Sequence, residues 1–106
     1  MADFTSVGKV DEFPRGGIRA FSINGRPVCV VRVGSDLFAF DGLCTHQYVE
    51  LSFGYVMEGQ VICGQHEAAF DLKTGEVLGG PAEFDLAVYE VKVEGDEVFV
   101  GPQSTG

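Results

Sequence analysis

The chain contains two histidines, and each lies within three residues of a cysteine. Cys44-Thr45-His46 is followed, after sixteen residues, by Cys63-Gly64-Gln65-His66. Each segment offers one thiolate and one imidazole, close enough in sequence to converge on one site. A fold that uses this pattern must bring two separate loops together. The third cysteine, Cys29, stands apart from both segments. An odd cysteine count, in a chain expected to stay in a reducing compartment, argues against a disulfide framework and makes metal binding the leading use.

The surroundings of these segments are short strands joined by turns, and no stretch sustains a helical period for three turns. The run Val28-Cys29-Val30-Val31-Arg32-Val33 is bounded by Asn24-Gly25-Arg26-Pro27 before and Gly34-Ser35-Asp36 after, both turn chemistry. Leu37–Phe40 reads as the return strand of a hairpin. An earlier strand is expected over Ile18–Ile23, after Gly16-Gly17. Near the C-terminus, Tyr89, Val91 and Val93 alternate with Glu90, Lys92 and Glu94, which gives one apolar and one wet face. Glu94-Gly95-Asp96-Glu97 then turns the chain into Val98–Val100, and the tail from Gly101 to Gly106 is expected to fray. Between Asp41 and Phe84 the strands shorten and the loops grow richer in glycine. All the histidines and two of the cysteines lie in that stretch.

With 106 residues the chain is one domain long, and 45% hydrophobic residues suffice for one core. A net charge of −9 and a pI near 4.4 exclude nucleic acid as a partner, since a polyanion is repelled and no Lys/Arg cluster offsets this. The acidity serves solubility, or steering toward a basic face on a partner protein. No apolar run approaches the roughly 20 residues of a membrane span. The start Met1-Ala2-Asp3-Phe4 lacks the basic and apolar regions of a signal peptide, so a cytoplasmic location is expected.

The four candidate ligands can be weighed by spacing. Zinc fingers usually pair Cys with Cys and His with His, whereas here the pairs are mixed. A Cys/His nucleophilic pair leaves two residues unexplained, and a mononuclear iron oxygenase site avoids thiolates. Two thiolates and two imidazoles suit a binuclear iron–sulfur cluster in which each iron takes a different pair. A structural zinc site remains the alternative reading of the same residues.

C-x-H followed by about sixteen residues and C-x-x-H resembles the ligand signature of the Rieske family. Phe70-Asp71-Leu72-Lys73-Thr74-Gly75 and then Gly79-Gly80-Pro81 resemble that family's hairpin and its third, proline-containing loop. The similarity covers nearly the whole chain and is greatest to the ferredoxin components of bacterial aromatic-ring-hydroxylating dioxygenases. It implies an all-β fold: a basal β-sandwich or barrel from about residues 1–40 and 85–106, with an inserted cluster-binding subdomain over about 41–84. It further implies one [2Fe–2S] cluster, with Cys44 and Cys63 on the inner iron and His46 and His66 on the outer iron, and Pro81 covering one side.

Two departures refine the resemblance. Respiratory Rieske proteins carry an extra cysteine in each ligand loop, and the matching positions here are Val49 and Gln65, so no such disulfide forms. They also place Ser and Tyr after the second histidine as hydrogen-bond donors toward sulfur, where this chain has Ala68 and Phe70. Fewer donors imply a potential toward the low end of the Rieske range, roughly −150 mV.

The implied function is that of a monomeric one-electron carrier, not an enzyme in its own right. It would take electrons from an NAD(P)H-dependent flavin reductase and pass them to the terminal oxygenase of an aromatic-ring dioxygenase system. The small Rieske-like subunit of an assimilatory nitrite reductase and a zinc-stabilised interaction module are the alternatives. Cys29 is expected to be a small buried residue, since no base or cation near it in sequence would activate it. Gln47, Tyr48 and Phe53 are expected either to pack the first ligand loop or, for Gln47 and Tyr48, to rim a docking tip.

Overall fold

The computed structural model describes residues 4–45, 50–64, 67–80 and 84–104. Four strands come first: β1 (Thr5–Lys9), β2 (Ile18–Ile23), β3 (Arg26–Val33) and β4 (Asp36–Asp41). Four shorter ones follow: β5 (Tyr55–Met57), β6 (Gln60–Ile62), β7 (Ala69–Asp71) and β8 (Val77–Gly79). The chain closes with β9 (Val88–Glu94) and β10 (Glu97–Gln103). The long strands form a six-stranded, nearly closed antiparallel sheet in the order β1-β10-β9-β4-β3-β2. The short ones form a second sheet in the order β5-β6-β7-β8.

β3 explains how the two sheets share a molecule. Val28 and Val30 point into one core, with Val7, Phe13, Ala39, Val98 and Val100. Cys29 and Val31 point into the other, with Phe40 and Val88 from the large sheet and Val61 and Phe70 from the small one. A strand buried on both faces reads as an unbroken apolar run rather than an alternating one. Each fully buried Val contributes roughly 1.5–3 kcal/mol relative to exposure, so this one strand anchors both cores.

Turn chemistry sets the registers. Asn24 and Gly25, with φ of 54° and 81°, form the two-residue loop that pairs Ile23 with Arg26, and positive φ at both positions matches the right-handed twist of a hairpin. The turn is therefore shorter than the sequence suggests, because Arg26 and Pro27 already belong to β3. Pro27 is tolerated near the strand's start, where its carbonyl accepts a hydrogen bond from the Gly42 N–H at 2.9 Å.

The tail also differs from expectation. Gly101–Gln103 continue β10 across an irregularity between Val100 and Gln103, and the Ser104 N–H donates to the Val88 carbonyl at 2.9 Å. On β9, Tyr89 and Val91 pack on the barrel core as the alternation requires, but Val93 is exposed even though its partner Val98 is fully buried.

The small sheet leaves the large one after β4 and returns at β9. Ala39 pairs with Tyr89 and Phe40 with Val88, and the Asp41 N–H donates to the Ala87 carbonyl at 2.9 Å. The Tyr89 hydroxyl closes the junction by donating to Asp41 Oδ1 at 2.7 Å. Burial, then the hydrogen bond and negative charge of Asp41, push the Tyr89 phenol from 10.0 up to about 12. A pKa raised on folding contributes stability below the unfolded value, and that contribution is lost as the pH rises from 10 through 12. Tyr89→Phe should therefore cost about 1 kcal/mol at pH 7, the usual net worth of one such bond. The gap between wild type and variant, read from urea midpoints, should shrink between pH 10 and 12.

Candidate metal centre

The first cysteine segment hangs from the end of β4. Gly42 packs its Cα against Pro27, where a Cβ would sit 3.1 Å from the Pro27 carbonyl carbon. Leu43 bridges to Glu50, and the Leu51 N–H donates to the Gly42 carbonyl at 2.8 Å. These contacts close the neck of a loop directly before Cys44, which is buried. Thr45 then reaches across the chain, its hydroxyl donating to the Phe84 carbonyl at 2.8 Å. His46, Gln47, Tyr48 and Val49 lie outside the described residues.

The second cysteine follows β6. The Cys63 N–H donates to the Ala68 carbonyl at 2.8 Å, and the Glu67 N–H donates back to the Cys63 carbonyl at 3.1 Å. Gln65, His66 and Pro81 lie outside the described residues. Glu67 adopts φ of 58°, an uncommon conformation for a residue with a Cβ, and its side chain faces solvent. Ala68 and Phe70 are fully buried.

Cys44 and Cys63 are nineteen positions apart in sequence, yet both are buried in one apolar core with Leu51, Ala68, Phe70, Leu72 and Leu86. No cysteine forms a disulfide. Ionised sulfur in such surroundings is costly without a cation, and a bound metal supplies one. Among the described residues no group of three metal donors forms. The two thiols expected as half of the donor set are thus both placed in one apolar core. Cys29 shares the core but not the role: burial, then the charges of Glu50 and Asp41, push its thiol up to about 12. A thiol so placed stays protonated and inert.

Glycines hold the loops at contact distance. A Cβ on Gly54 would overlap the Ile62 carbonyl, and one on Gly64 would lie 2.8 Å from the Phe53 carbonyl. The segment after the first loop therefore packs backbone to backbone on the second. Gly80, at φ 81°, would place a Cβ 2.6 Å from the Ala68 Cα and 2.9 Å from the Glu67 carbonyl oxygen. These contacts and the Thr45–Phe84 bond are absent from the sequence reading, where the only signals were Gly64 beside a ligand and the Gly79-Gly80 pair. Phe53 does not pack the loop, since its side chain is 76% exposed.

Gly80→Ala should destabilise the protein by more than about 1 kcal/mol, because it combines positive φ with a backbone clash. Gly59→Ala is the control: at φ 77° it meets no atom within 4 Å and pays only the backbone cost. Unfolding midpoints and iron retained per chain should both fall further for Gly80→Ala than for Gly59→Ala.

Comparison with known proteins agrees with this geometry. Residues 3–90 match the Rieske [2Fe-2S] domain. The chain is 33% identical over 100 residues to the anthranilate 1,2-dioxygenase ferredoxin subunit of Burkholderia cepacia, covering 94% of this chain and 93% of that one. Among solved structures, it is similar to the ferredoxin of carbazole 1,9a-dioxygenase from Nocardioides aromaticivorans IC177, with a TM-score of 0.90 and 31% identity over 93% of this chain and 97% of the other. It is also similar to a chain in the complex of reduced oxygenase and oxidised ferredoxin of carbazole 1,9a-dioxygenase. There the TM-score is 0.86 and the identity 33%, with 92% of this chain and 91% of that one covered. The buried pair of thiols, the two-sheet fold and the length of the match together place the chain in the Rieske [2Fe–2S] domain family, with a Rieske-type [2Fe–2S] cluster as its cofactor.

Proposed function

We propose that the chain is the electron-carrying ferredoxin of a multicomponent aromatic-ring dioxygenase, taking electrons from a flavin-dependent NAD(P)H reductase and delivering them to a terminal oxygenase. The burial of Cys44 and Cys63 in one core between two glycine-packed loops carries this reading. The names of its relatives add the kind of system it serves. The bound cluster supplies reversible one-electron chemistry.

In this reading Cys44 and Cys63 hold the inner iron, and His46 and His66 hold the outer iron nearer the surface. Residues 41–84 serve as the cluster-binding subdomain, and residues 1–40 and 85–106 as the basal part that supports it. The chain's own task is to exclude water from the sulfur side, fix the ligand loops and present the histidine end to partners. Among the described residues no helix is long and apolar enough to cross a membrane. A nitrite reductase small subunit is the second reading: a putative NADH-dependent nitrite reductase small subunit from Mycobacterium tuberculosis shares the fold at a TM-score of 0.88, but at 18% identity.

Two measurements test the proposal. Ala68 and Phe70 are buried and offer no hydroxyl toward the site, so film voltammetry should give a potential near roughly −150 mV, at the low end of the Rieske range. A value of several hundred millivolts positive would contradict a role downstream of a flavin. If both partners dock at the His46/His66 end, reductase and oxygenase should displace one another from the ferredoxin. A stable ternary complex with both bound there would remove that part of the proposal.

A further inference from the structure

Among the described residues, neither hydrophobic core takes in the outer face of the small sheet. Val56, Val61, Phe70 and Val77 turn inward onto the shared core. The pairings Tyr55–Ile62–Ala69 and Met57–Gln60–Asp71 place those residues on the opposite, outer face. There Tyr55 is 44% and Met57 51% exposed, and Ile62, though buried, belongs to neither core. Leu78 on edge strand β8 is exposed as well. Phe53 sits two residues before Tyr55, with its carbonyl against Gly64. The exposed apolar side chains of Phe53, Tyr55 and Met57 therefore follow one another along edge strand β5 and the residues just before it.

Charge is distributed to match. Residues 41–84 hold seven acidic residues and one basic residue, Lys73, whereas the remaining residues hold nine acidic and six basic. Glu50, Glu58, Glu67 and Glu76 are all exposed around the small sheet. An apolar centre within an acidic subdomain is complementary to an apolar patch ringed by lysine or arginine, and such complementarity raises encounter rates and fixes orientation. The same charge opposes packing of two copies of this chain face to face.

We propose that the outer face of the small sheet, centred on Tyr55 and Met57, is a lateral docking surface for an electron-exchange protein whose own patch is apolar with a basic rim. The inference rests on the electron-carrier reading and adds to it a contact area beyond the histidine tip. Ile62 lies on this face and is followed in the chain by Cys63, so a partner seated there stays close to the proposed inner-iron ligand.

The test uses mitochondrial cytochrome c, whose haem edge lies in a lysine-ringed apolar patch, as the probe. Dithionite-reduced holoprotein, freed of excess reductant, gives one electron to each ferric haem, followed by stopped flow at low ionic strength. Met57→Lys is compared with Val93→Lys, which makes the same charge change at an exposed apolar position on the basal sheet. Met57→Lys should slow the second-order reaction at least about fivefold, the level of an interface residue that costs about 1 kcal/mol when replaced. Val93→Lys should change it less than twofold, and neither variant should alter the EPR spectrum or the rate with ferricyanide, a small oxidant. Equal rates for the two variants would overturn the lateral surface. A dimer of the wild type that Met57→Lys dissociates would also overturn it, by assigning the face to self-association. If reduced wild type reacts with neither cytochrome c nor ferricyanide, the electron-carrier reading itself fails.

Discussion

Bringing two sulfur atoms nineteen residues apart into one dry core is the constraint on which the rest of this structure depends. Neither loop can do this alone. Each contains glycine, and each is held at its ends by strands. β4 and β9 supply the frame, because their pairing and the Asp41–Tyr89 bond fix where the small sheet leaves and re-enters the barrel. β3 supplies the packing, since its alternate residues serve the barrel core and the core that holds Cys44 and Cys63 at once. The loops then meet through bare backbone at Gly54, Gly64 and Gly80, where no side chain intervenes.

The chemistry was more legible in the sequence than the architecture that supports it. The mixed Cys–His pairs stood out because the chain uses no other histidines, and the turn residues flanking the apolar run of β3 marked it as a strand, though not its burial on both faces. The Asn24-Gly25 turn was readable for a local reason, as both residues tolerate positive φ. What escaped notice depended on distant partners. β1 is held by β10 from the far end of the chain, and Gly101–Gln103 are ordered by that sheet rather than by their own composition. The Thr45–Phe84 bond spans thirty-nine residues, and no local pattern encodes it. The exposed Phe53 reversed the expectation that an aromatic residue beside a ligand loop packs that loop.

The three cysteines are equally buried but differ in their backbone setting. Cys29 is as deeply buried as Cys44 and Cys63, yet it sits within a regular strand whose backbone is fully committed to neighbours on both sides. Cys44 and Cys63 sit at the exits of β-structure, on turns whose backbone can be shaped around a metal. Burial, then the charges of Glu50 and Asp41, hold the proton on the Cys29 thiol.

The most direct test is iron and zinc analysis of anaerobically purified protein, followed by EPR and nitrogen ENDOR of the reduced chain labelled with 15N-histidine. The account predicts two irons per chain, a rhombic signal averaging below that of an all-cysteine ferredoxin, and two coupled histidine nitrogens. One zinc per chain with no iron and no signal, or an iron signal without histidine nitrogen coupling, would contradict the assignment of Cys44, His46, Cys63 and His66.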